Sequence, residues 1–398
     1  MPWLFQNIQN SMRNLIIFLF FTILISCGQK TQNKPDRIAL NLKESKESLL
    51  SEKFEDIEYI LLDYQDSFPI VQPYTVIFYE NLIFVNDRVL ENLFVFSSYG
   101  KVLKVIKSTG TGPQEFIQIN DFQIFDDHIL IKDNRLKKII AFDFNGNFKF
   151  ELKEELQSSN FYFSNEFTTH FMNNDLSNEG FNFLGKSKEE IIERKVKIRH
   201  GMAGIKMAVA NSFIRNKFKN EIIFNIPFSY EIALFDTLGK FKNSIEFDLK
   251  DSGIDLDKRI KLMNGTLDYS IVKEEGLTEM VTSFFPFEGQ YFAFFERGGN
   301  EFQYVFLDDD FKVISQSNKI KNDIDGMKIR NIPWTSTGEH LVFKINSNDF
   351  LNDYHSKFDK TKKEFPKASI HDFISKNSHL LDQDKTVLVL LKVKKPSE

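Results

Sequence analysis

From Phe54 onward the chain alternates short apolar runs with turns rich in Asn, Asp and Gly. Apolar runs of roughly four to eight residues bounded by such turns are typical of β-strands rather than of helices. Two stretches repeat closely, Leu82–Gly100 and His128–Gly146, and each places an Asp 13 positions before its final glycine. These two glycines lie 46 residues apart, which is a period typical of four-stranded propeller blades.

Further copies extend the repeat towards the carboxyl end. Glu221–Gly239 lies two periods beyond the second copy, and Tyr291–Val313 follows at an offset that implies an insertion around residues 250–285. Six blades of about 46 residues fit the remaining length. We therefore predict an all-β fold over residues 53–396: a six-bladed β-propeller of four-stranded blades with short helical insertions.

The two ends of the repeat region are predicted to close the ring. Radial repetition protects the edges of the sheets, and pairing of an early with a late strand seals the last gap. We expect Ile57–Leu62 to join the blade that contains Val387–Val393. The apolar spacing within Lys367–Asp382 predicts a short helix packed near this closing blade.

The amino-terminal 27 residues have the pattern of a bacterial lipoprotein signal peptide. The apolar run Leu15–Ile25 is too short to span a bilayer of roughly 30 Å, so it fits the hydrophobic region of a signal peptide. Leu24–Cys27 resembles a lipobox, which predicts lipidation of Cys27, the only cysteine of the chain. The alternative is a cleaved signal with an incidental cysteine. The polar residues 28–52 are predicted to form a flexible tether.

Composition and charge narrow the range of partners. The chain has 398 residues, 42% of them hydrophobic, and its length is enough to bury a substantial core without disulfides. The formal net charge is −5, so the chain lacks the basic excess that nucleic-acid binding normally uses. Nucleic acid is therefore not expected as a partner. The 44 Phe are expected mostly to fill the core and the sheets.

The order of these features resembles the six-bladed β-propeller lipoproteins of Bacteroidota. The features are the lipobox, the polar stretch, Ile57–Asp63, the repeats, the Gly110–Phe116 loop and the closing Val387–Val393 run, and the similarity covers roughly residues 54–395. In that family the loop commonly reads Gly-x-Gly-Pro-Gly-Glu, and this chain departs from it at Gln114. The resemblance implies an exported propeller of the kind often associated with glycan or peptide uptake, and it supplies no catalytic residues.

The Gly110–Phe116 loop supplies the first candidate site residues. Gly110 and Gly112 allow backbone amides to approach an anion closely, and Glu115 follows them in the same loop. The alternative, which we favour, is an inter-blade turn in which Phe116 packs between blades. Asp121, just downstream, is a candidate for the axial channel, with an ordinary turn or capping carboxylate as the alternative.

Two further features are candidates for ligand contact. Trp334 lies in a turn-rich stretch, where its ring could stack on a sugar, and packing between blades explains it equally well. The segment Gly185–Asn220 contains ten Lys or Arg and three Glu. It could touch anionic lipid or acidic glycan, and a solvated insertion or distorted blade edge is the alternative.

Familiar catalytic and metal motifs are missing from the sequence. The seven histidines include no i, i+4 pair, and Gly-x-Ser-x-Gly does not occur. The acidic clusters Asp251–Asp257, Asp308–Asp310 and Asn322–Gly326 lack the spacing of a calcium loop and are interpreted as solvated turns. We predict no catalytic residue, metal ligand or cofactor from sequence motifs, and calcium held by carboxylates of different blades stays an alternative.

Two functions are compatible with these patterns. The first is a membrane-anchored binding or scaffold module for a glycan, a peptide or a partner protein in the cell envelope, in the outer membrane or the periplasm. The alternative is a propeller enzyme of lyase or hydrolase type, with an acid/base or calcium site gathered at the axial funnel. A convergent cluster of acidic residues, His or Arg in the funnel would favour the enzyme, and an aromatic face would favour binding.

Overall fold

The alternating runs fold as antiparallel strands in a computed structural model, which describes residues 36–107, 110–178, 180–188, 190–209, 212–329, 332–358, 365 and 369–396. Arg37–Glu398 groups as one compact unit. No helix within the described part of the chain is long and apolar enough to cross a membrane. The strands form six sheets of four or five strands each. The predicted six-bladed β-propeller of four-stranded blades is confirmed.

The first three blades follow one another along the chain, each with its four strands in sequence order. Blade 1 contains β4 (Pro73–Tyr79), β5 (Leu82–Asp87), β6 (Asn92–Ser97) and β7 (Val102–Lys107). Blade 2 contains β8 (Asp121–Phe125), β9 (His128–Asp133), β10 (Lys138–Asp143) and β11 (Phe148–Lys153). Blade 3 contains β12 (Asn160–Phe163), β13 (Thr168–Phe171), β14 (Phe181–Ser187) and β15 (Glu190–Lys197).

The last three blades each gain a strand from the amino-terminal segment of the chain. Blade 4 contains β16 (Ile214–Asn216), β17 (Glu221–Asn225), β18 (Glu231–Asp236), β19 (Phe241–Asp248) and β1 (Asp36–Ala39). Blade 5 contains β20 (Ser283–Phe287), β21 (Gln290–Arg297), β22 (Glu301–Asp308), β23 (Val313–Lys321) and β2 (Lys46–Leu49). Blade 6 contains β24 (Thr335–Ser336), β25 (His340–Asn346), β26 (Thr386–Val393) and β3 (Phe54–Leu62).

The position of a strand in its blade explains its sequence pattern. The two middle strands of blades 1 and 2, such as β5 and β9, are buried over nearly their whole length because neighbouring blades cover both faces. Outer strands such as β11 consist of half-buried and exposed residues. Most of the described Phe side chains are buried, and Phe84 of blade 1 belongs to the same hydrophobic cluster as Phe122 of blade 2.

The ring closes through the predicted pairing. β26 pairs antiparallel with β3, with Val387 opposite Leu61 and Leu391 opposite Ile57. β3, from the amino-terminal part of the chain, therefore forms the outer edge of blade 6. The other three strands of this blade, β24, β25 and β26, come from the carboxyl-terminal part. This pairing confirms the expectation that Ile57–Leu62 and Val387–Val393 share one sheet.

The prediction of a flexible tether over residues 28–52 is wrong for residues 36–52, and residues 28–35 lie outside the described part. β1 joins the edge of β19, where the Leu40 N–H donates to the Asp248 carbonyl at 2.9 Å. β2 pairs in parallel with β23. Most of the sparse large apolar residues of this segment, among them Leu42 and Leu50, are buried, and Leu49 is exposed. The segment looked polar because strands at an outer edge expose most of their side chains to solvent.

Helices occupy two of the connections between strands. α1 (Leu256–Met263) and α2 (Ser270–Glu274) lie between β19 and β20, in the predicted insertion around residues 250–285. α3 (Ser347–Phe358) and α4 (Ser369–Leu381) lie between β25 and β26. α4 coincides with the predicted helix Lys367–Asp382, and its Ser369 hydroxyl donates to the Ile57 carbonyl on β3 at 3.1 Å. Single 3-10 turns lie at Leu42–Glu44, Leu50–Glu52, Leu176–Asn178 and Lys250–Ser252.

A repeated aspartate ties each of the first two blades to the loop that enters it. Asp133 is fully buried, and its Oδ2 accepts the Ile117 and Gln118 amides at 2.8 and 3.2 Å. Its Oδ1 accepts two amides of the turn that follows β9, at 2.9 Å each. Asp87 makes the corresponding four bonds in blade 1. The sequence repeat of Asp followed 13 residues later by Gly thus has a structural cause.

Replacing Asp133 by Ala should lower the free energy of unfolding by about 3 kcal/mol, because four buried or half-buried amides would lose one charged acceptor. Asp127→Ala is the control in the same blade, since its carboxylate is exposed, and it should change stability by less than about 1 kcal/mol. Urea denaturation of both variants measures the difference. Equal stability of the two variants would contradict this role of Asp133.

Candidate functional site

All six blades contribute their first strand to one cavity of about 350 Å³. Residues of β4, β8, β12, β16, β20 and β24, or residues next to these strands, line it. Each of these strands is at one edge of its sheet, so their shared cavity must lie on the axis of the ring. The volume is within the range of small-molecule sites, roughly 300–1,000 Å³. We call this space the axial cavity.

The wall of the axial cavity is largely aromatic and aliphatic. It is lined by Val76, Ile77, Phe78, Tyr79, Phe122, Ile124, Phe125, Phe161, Tyr162, Phe213, Ile214, Phe218 and Pro286. Neutral polar groups interrupt this wall, contributed mainly by Thr75, Gln123, Ser164, Ser212, Thr237, Thr335, Ser336 and Thr337. An apolar wall with a few fixed polar groups is the usual composition of a ligand pocket.

Several polar groups of the wall are fixed by bonds within the protein. The Tyr162 hydroxyl donates to the Thr237 carbonyl at 3.0 Å. The Gln123 side chain exchanges two hydrogen bonds with the backbone of Phe163, at 2.7 and 3.1 Å, and so links blades 2 and 3. These bonds hold the lining side chains in place before a ligand arrives.

Two cations line the axial cavity and form no ion pair within the described part of the chain. Arg215 and Lys217 are exposed side chains of β16 and of the turn that follows it. Asp126 is the one carboxylate among the described lining residues, and it belongs to the turn between β8 and β9. The lining is therefore apolar with an excess of positive charge. Such a site favours a ligand with an apolar or aromatic body and an anionic group.

Asp121 lies directly behind the lining of the axial cavity. Its carboxylate accepts the Ser212 hydroxyl at 2.7 Å and the Phe161 amide at 3.0 Å. The residue is 5% exposed, and this burial raises the pKa of its carboxyl group to about 7 against the opposing effect of these hydrogen bonds. Asp121 therefore connects the inner strands of blades 2 and 3 to Ser212, which precedes β16 and lines the cavity.

A buried polar cluster continues from Asp121 into the interface between blades 2 and 3. Lys132, opposite Asp121 in the β8–β9 pair, donates to the Leu156 carbonyl at 2.7 Å. Glu154 lies 3.2 Å from the Lys186 ammonium and 3.4 Å from His170 Nε2. Burial opposes ionisation of Glu154, but His170, the Leu156 amide and Lys132 outweigh it and lower the pKa of its carboxyl group to about 2.

The same burial acts in the opposite direction on the basic members of this cluster. It lowers the pKa of the Lys132 ammonium to about 8, although Glu154 partly offsets the effect. It also lowers the pKa of His170, whose Nδ1 lies 3.0 Å from the Ser158 hydroxyl. These groups are tied to one another and to the backbone, so they act as an internal polar contact between two blades.

The Gly110–Phe116 loop is occupied by its own side chain. The Glu115 carboxylate accepts the Gly112 amide at 2.7 Å, and a Cβ atom at either Gly110 or Gly112 would come within 2.8 Å of that carboxylate. Phe116 is buried between blades 1 and 2. Gln114, where the resembling family commonly has glycine, adopts a φ of 66°. The geometry matches the interpretation of this loop as an inter-blade turn.

Trp334 lies between blades 6 and 1. It is buried, its Nε1 donates to the Tyr74 carbonyl at 2.8 Å, and the Lys344 ammonium lies 4.3 Å from the centre of its ring. The ring is therefore engaged on the protein side, as the packing alternative requires. The other predicted site residue, Cys27, lies outside the described residues.

Among the predicted candidates, Asp121 lies directly behind the wall of the axial cavity, and the basic segment Gly185–Asn220 supplies Ser212, Arg215 and Lys217 to the wall itself. Sequence reasoning missed Tyr162, and it named Ser212, Arg215 and Lys217 only as part of the basic segment Gly185–Asn220, because no motif links the residues of blade 3 to those of blade 4. The lining residues could have been found from the position of each strand within its repeat, because the first strand of every blade faces the axis. The basic segment Gly185–Asn220 itself divides between the outer strand β15 and the inner strand β16.

The raised pKa of Asp121 predicts a specific dependence of stability on pH. Between pH 4 and pH 7 the folded protein holds a proton on Asp121 that the unfolded chain has released, so this group lowers stability as pH rises through that window. Asp121→Asn keeps an oxygen acceptor for Ser212 and Phe161 but does not ionise. Relative to the natural protein, this variant should gain roughly 2 to 4 kcal/mol of unfolding free energy between pH 5 and pH 8.

Chemical denaturation of both proteins across that range measures this gain. Parallel pH profiles would contradict the assignment. The Ser212→Ala variant is the companion measurement, because losing the Ser212 hydroxyl removes a bond that favours the ionised carboxylate, and the fall in stability should then extend to higher pH.

Comparison with known proteins identifies the fold family. The sequence matches the family DUF5128, described as a 6-bladed beta-propeller, over residues 28–344. A solved structure described as that of an exported protein from Bacteroides fragilis is similar, with a TM-score of 0.66 and 14% identity over 91% of this chain and 100% of the other. A DUF4221 family member from Bacteroides vulgatus has a TM-score of 0.49 and 12% identity, with 86% and 98% of the two chains covered.

No functionally curated protein matches the sequence. The likeness to the Bacteroides fragilis structure supports the fold alone, because the two sequences share few identical residues. The family match covers most of the chain and agrees with six sheets arranged around one cavity. This chain belongs to the six-bladed β-propeller family DUF5128, which agrees with the propeller family of Bacteroidota that its sequence resembles.

Proposed function

We propose that this protein is an exported, lipid-anchored propeller that binds a small acidic glycan or peptide in its axial cavity. The observation that carries the proposal is the composition of the cavity wall, where aromatic side chains from several blades meet the cations Arg215 and Lys217. Aromatic faces bind apolar faces of sugars or peptide side chains, and the cations complement a carboxylate or sulfate. The bound ligand would be held in the cell envelope.

The binding function is favoured over the propeller enzyme by the placement of titratable groups. The described lining residues include Arg215, Lys217 and Asp126, and no histidine. One more carboxylate, that of Asp121, is linked to the wall by a hydrogen bond, and it lies behind Ser212. A general acid must reach the substrate directly or through one water, and Asp121 is nearly completely buried. The wall is thus suited to holding a ligand.

Export and anchoring are supported by separate observations. The sequence Leu24–Cys27 has the lipobox pattern after an apolar run of signal-peptide length. A structural relative from Bacteroides fragilis is described as exported. Acyl chains on Cys27 would attach the propeller to a membrane without a transmembrane helix.

Thermal unfolding of the full-length protein in mild detergent tests the ligand class with matched pairs. The first pair is a disaccharide of galacturonate, which is acidic, and the corresponding disaccharide of galactose, which is neutral. The second pair is a short aromatic peptide with a free carboxyl end, which is acidic, and the same peptide with an amidated end. The acidic member of one pair should raise Tm by about 2 °C or more at about ten times its Kd, because it binds only the folded state. Equal shifts from both members of each pair would contradict the role of the cations.

Two variants locate this binding in the axial cavity. Arg215→Gln should weaken binding of the acidic ligand about tenfold, because it removes a charged hydrogen-bond donor from the wall. Ser336→Trp should abolish binding, because the indole would fill part of the cavity. Ser67→Trp in an exposed loop is the matched control and should bind normally. Binding that survives Ser336→Trp would place the site elsewhere.

Replacing Cys27 by Ser tests the anchor. Without a thiol there is no site for the thioether bond to lipid, so the protein should move from the membrane fraction to the soluble fraction. Fractionation of cells followed by immunoblotting measures the distribution, and intact-mass measurement of the natural protein should show the added acyl mass. An unchanged membrane fraction for Cys27→Ser would contradict lipidation at this residue.

A further inference from the structure

A smaller pocket lies between blades 3 and 4. It is at one end of the propeller, and the turns that line the axial cavity are at the other end. Turns alternate between the two ends of an antiparallel blade. Asp126 and Thr237 of the axial cavity belong to turns that follow first and third strands. This second pocket is instead formed by Phe228, in the turn after the second strand of blade 4, and by Met202 and Arg259, in connections between blades.

This pocket is strongly basic for its size. Its volume is about 60 Å³, and its lining contains three cations, Lys197, Arg199 and Arg259, against the single carboxylate Glu231. A cavity volume of about 10–15 Å³ is already enough to hold one water molecule. The pocket therefore has room for an oxyanion of a few heavy atoms.

Arg259 is the unusual member of the set. It is 2% exposed, and among the described residues no carboxylate lies within ion-pair distance of its guanidinium. The group donates to the Phe228 and Ile254 carbonyls, at 3.1 and 3.4 Å, and lies 4.3 Å from the centre of the Tyr230 ring. Its Nε has no hydrogen-bond partner in the described structure. A buried charge with only neutral partners is costly, and an anion in the adjoining space would offset that cost.

The carboxylate of the pocket is already engaged by another residue. Glu231 Oε2 accepts Arg199 Nη2 at 3.1 Å, and Oε1 accepts the Ser244 hydroxyl at 2.6 Å. Arg199 also lies 3.9 Å from Glu246. The acidic groups near the pocket thus compensate Arg199, and the charge of Arg259 is left to be met by a bound group.

We propose that this pocket binds a small oxyanion, a carboxylate or a phosphate group, through Arg259 with the help of Lys197. The site is separate from the axial cavity, since it lies at the other end of the propeller and shares no lining residue with it. A guanidinium suits this ligand because its planar set of donors matches the oxygens of both groups. The carboxylate source would be a peptide terminus or an acidic sugar, and the phosphate source would be free phosphate or a phosphate ester.

Thermal unfolding and calorimetric titration of the full-length protein with sodium phosphate, sodium acetate and sodium chloride test the proposal at constant ionic strength. Phosphate or acetate should raise Tm above the chloride reference, and the stronger of the two identifies the class of oxyanion. Failure of both anions to exceed chloride would overturn the proposal.

Variants then assign the site. Arg259→Gln should weaken anion binding at least tenfold, and Lys197→Gln, at an exposed position that is safe for folding, should weaken it about threefold. Lys101→Gln, which removes an exposed cation of blade 1 that lines neither pocket, is the control and should leave this anion affinity unchanged. Anion binding that is equal in the natural protein and in Lys197→Gln and Arg259→Gln would also overturn the assignment.

Discussion

The pairing of β3 with β26 is the constraint on which the rest of the structure depends. Each blade contacts its neighbours face to face, but this pair alone joins the amino-terminal segment to the carboxyl end within one blade. With the ring closed, six first strands converge on the axis and enclose the cavity. Without the pairing, blade 6 would lose its outer strand, and α4, which rests on that strand, would lose its support. The cavity is therefore a property of the whole ring rather than of any blade.

The same segment extends this role beyond blade 6. Before reaching β3, the chain adds β1 to the edge of blade 4 and β2 to the edge of blade 5. One stretch thus supplies the outermost strand of three consecutive blades, whereas β7, β11 and β15 form the outer edges of blades 1 to 3 in the described structure. Residues 36–62 therefore both close the ring and complete the outer side of half of its blades.

Much of the fold could be predicted from the sequence because each of blades 1 to 5 is formed mainly by one contiguous repeat. The strands could be recognised from the 46-residue spacing, the turn glycines and the apolar runs. The burial of these strands depends only on their own blade and the neighbouring blades. Residues 36–52 were misjudged because β1 and β2 are stable only on edges supplied by residues more than 200 positions away. Single residues such as Leu42 and Leu50 carry that docking, and no periodicity marks them.

The candidate site was far less predictable for a related reason. Lining residues such as Arg215 and Tyr162 are brought together only by ring closure, and each looks like an ordinary member of its own strand. Asp121 could be proposed because it follows a recognisable loop, yet its burial behind Ser212 depends on three blades meeting. The glycine loop and Trp334, the most visible features in the sequence, instead serve contacts between blades.

Native-state hydrogen exchange tests most directly whether ring closure and the axial cavity form one cooperative unit. The amides of β3 and β26 should exchange with the same free energy as those of β9 and β10, which lie in the middle of blade 2, because opening of the seam would release the whole ring. That common value should equal the global free energy of unfolding. Exchange of β3 at a much lower free energy, with the inner strands still protected, would show that the cavity persists without the closure and would contradict the account.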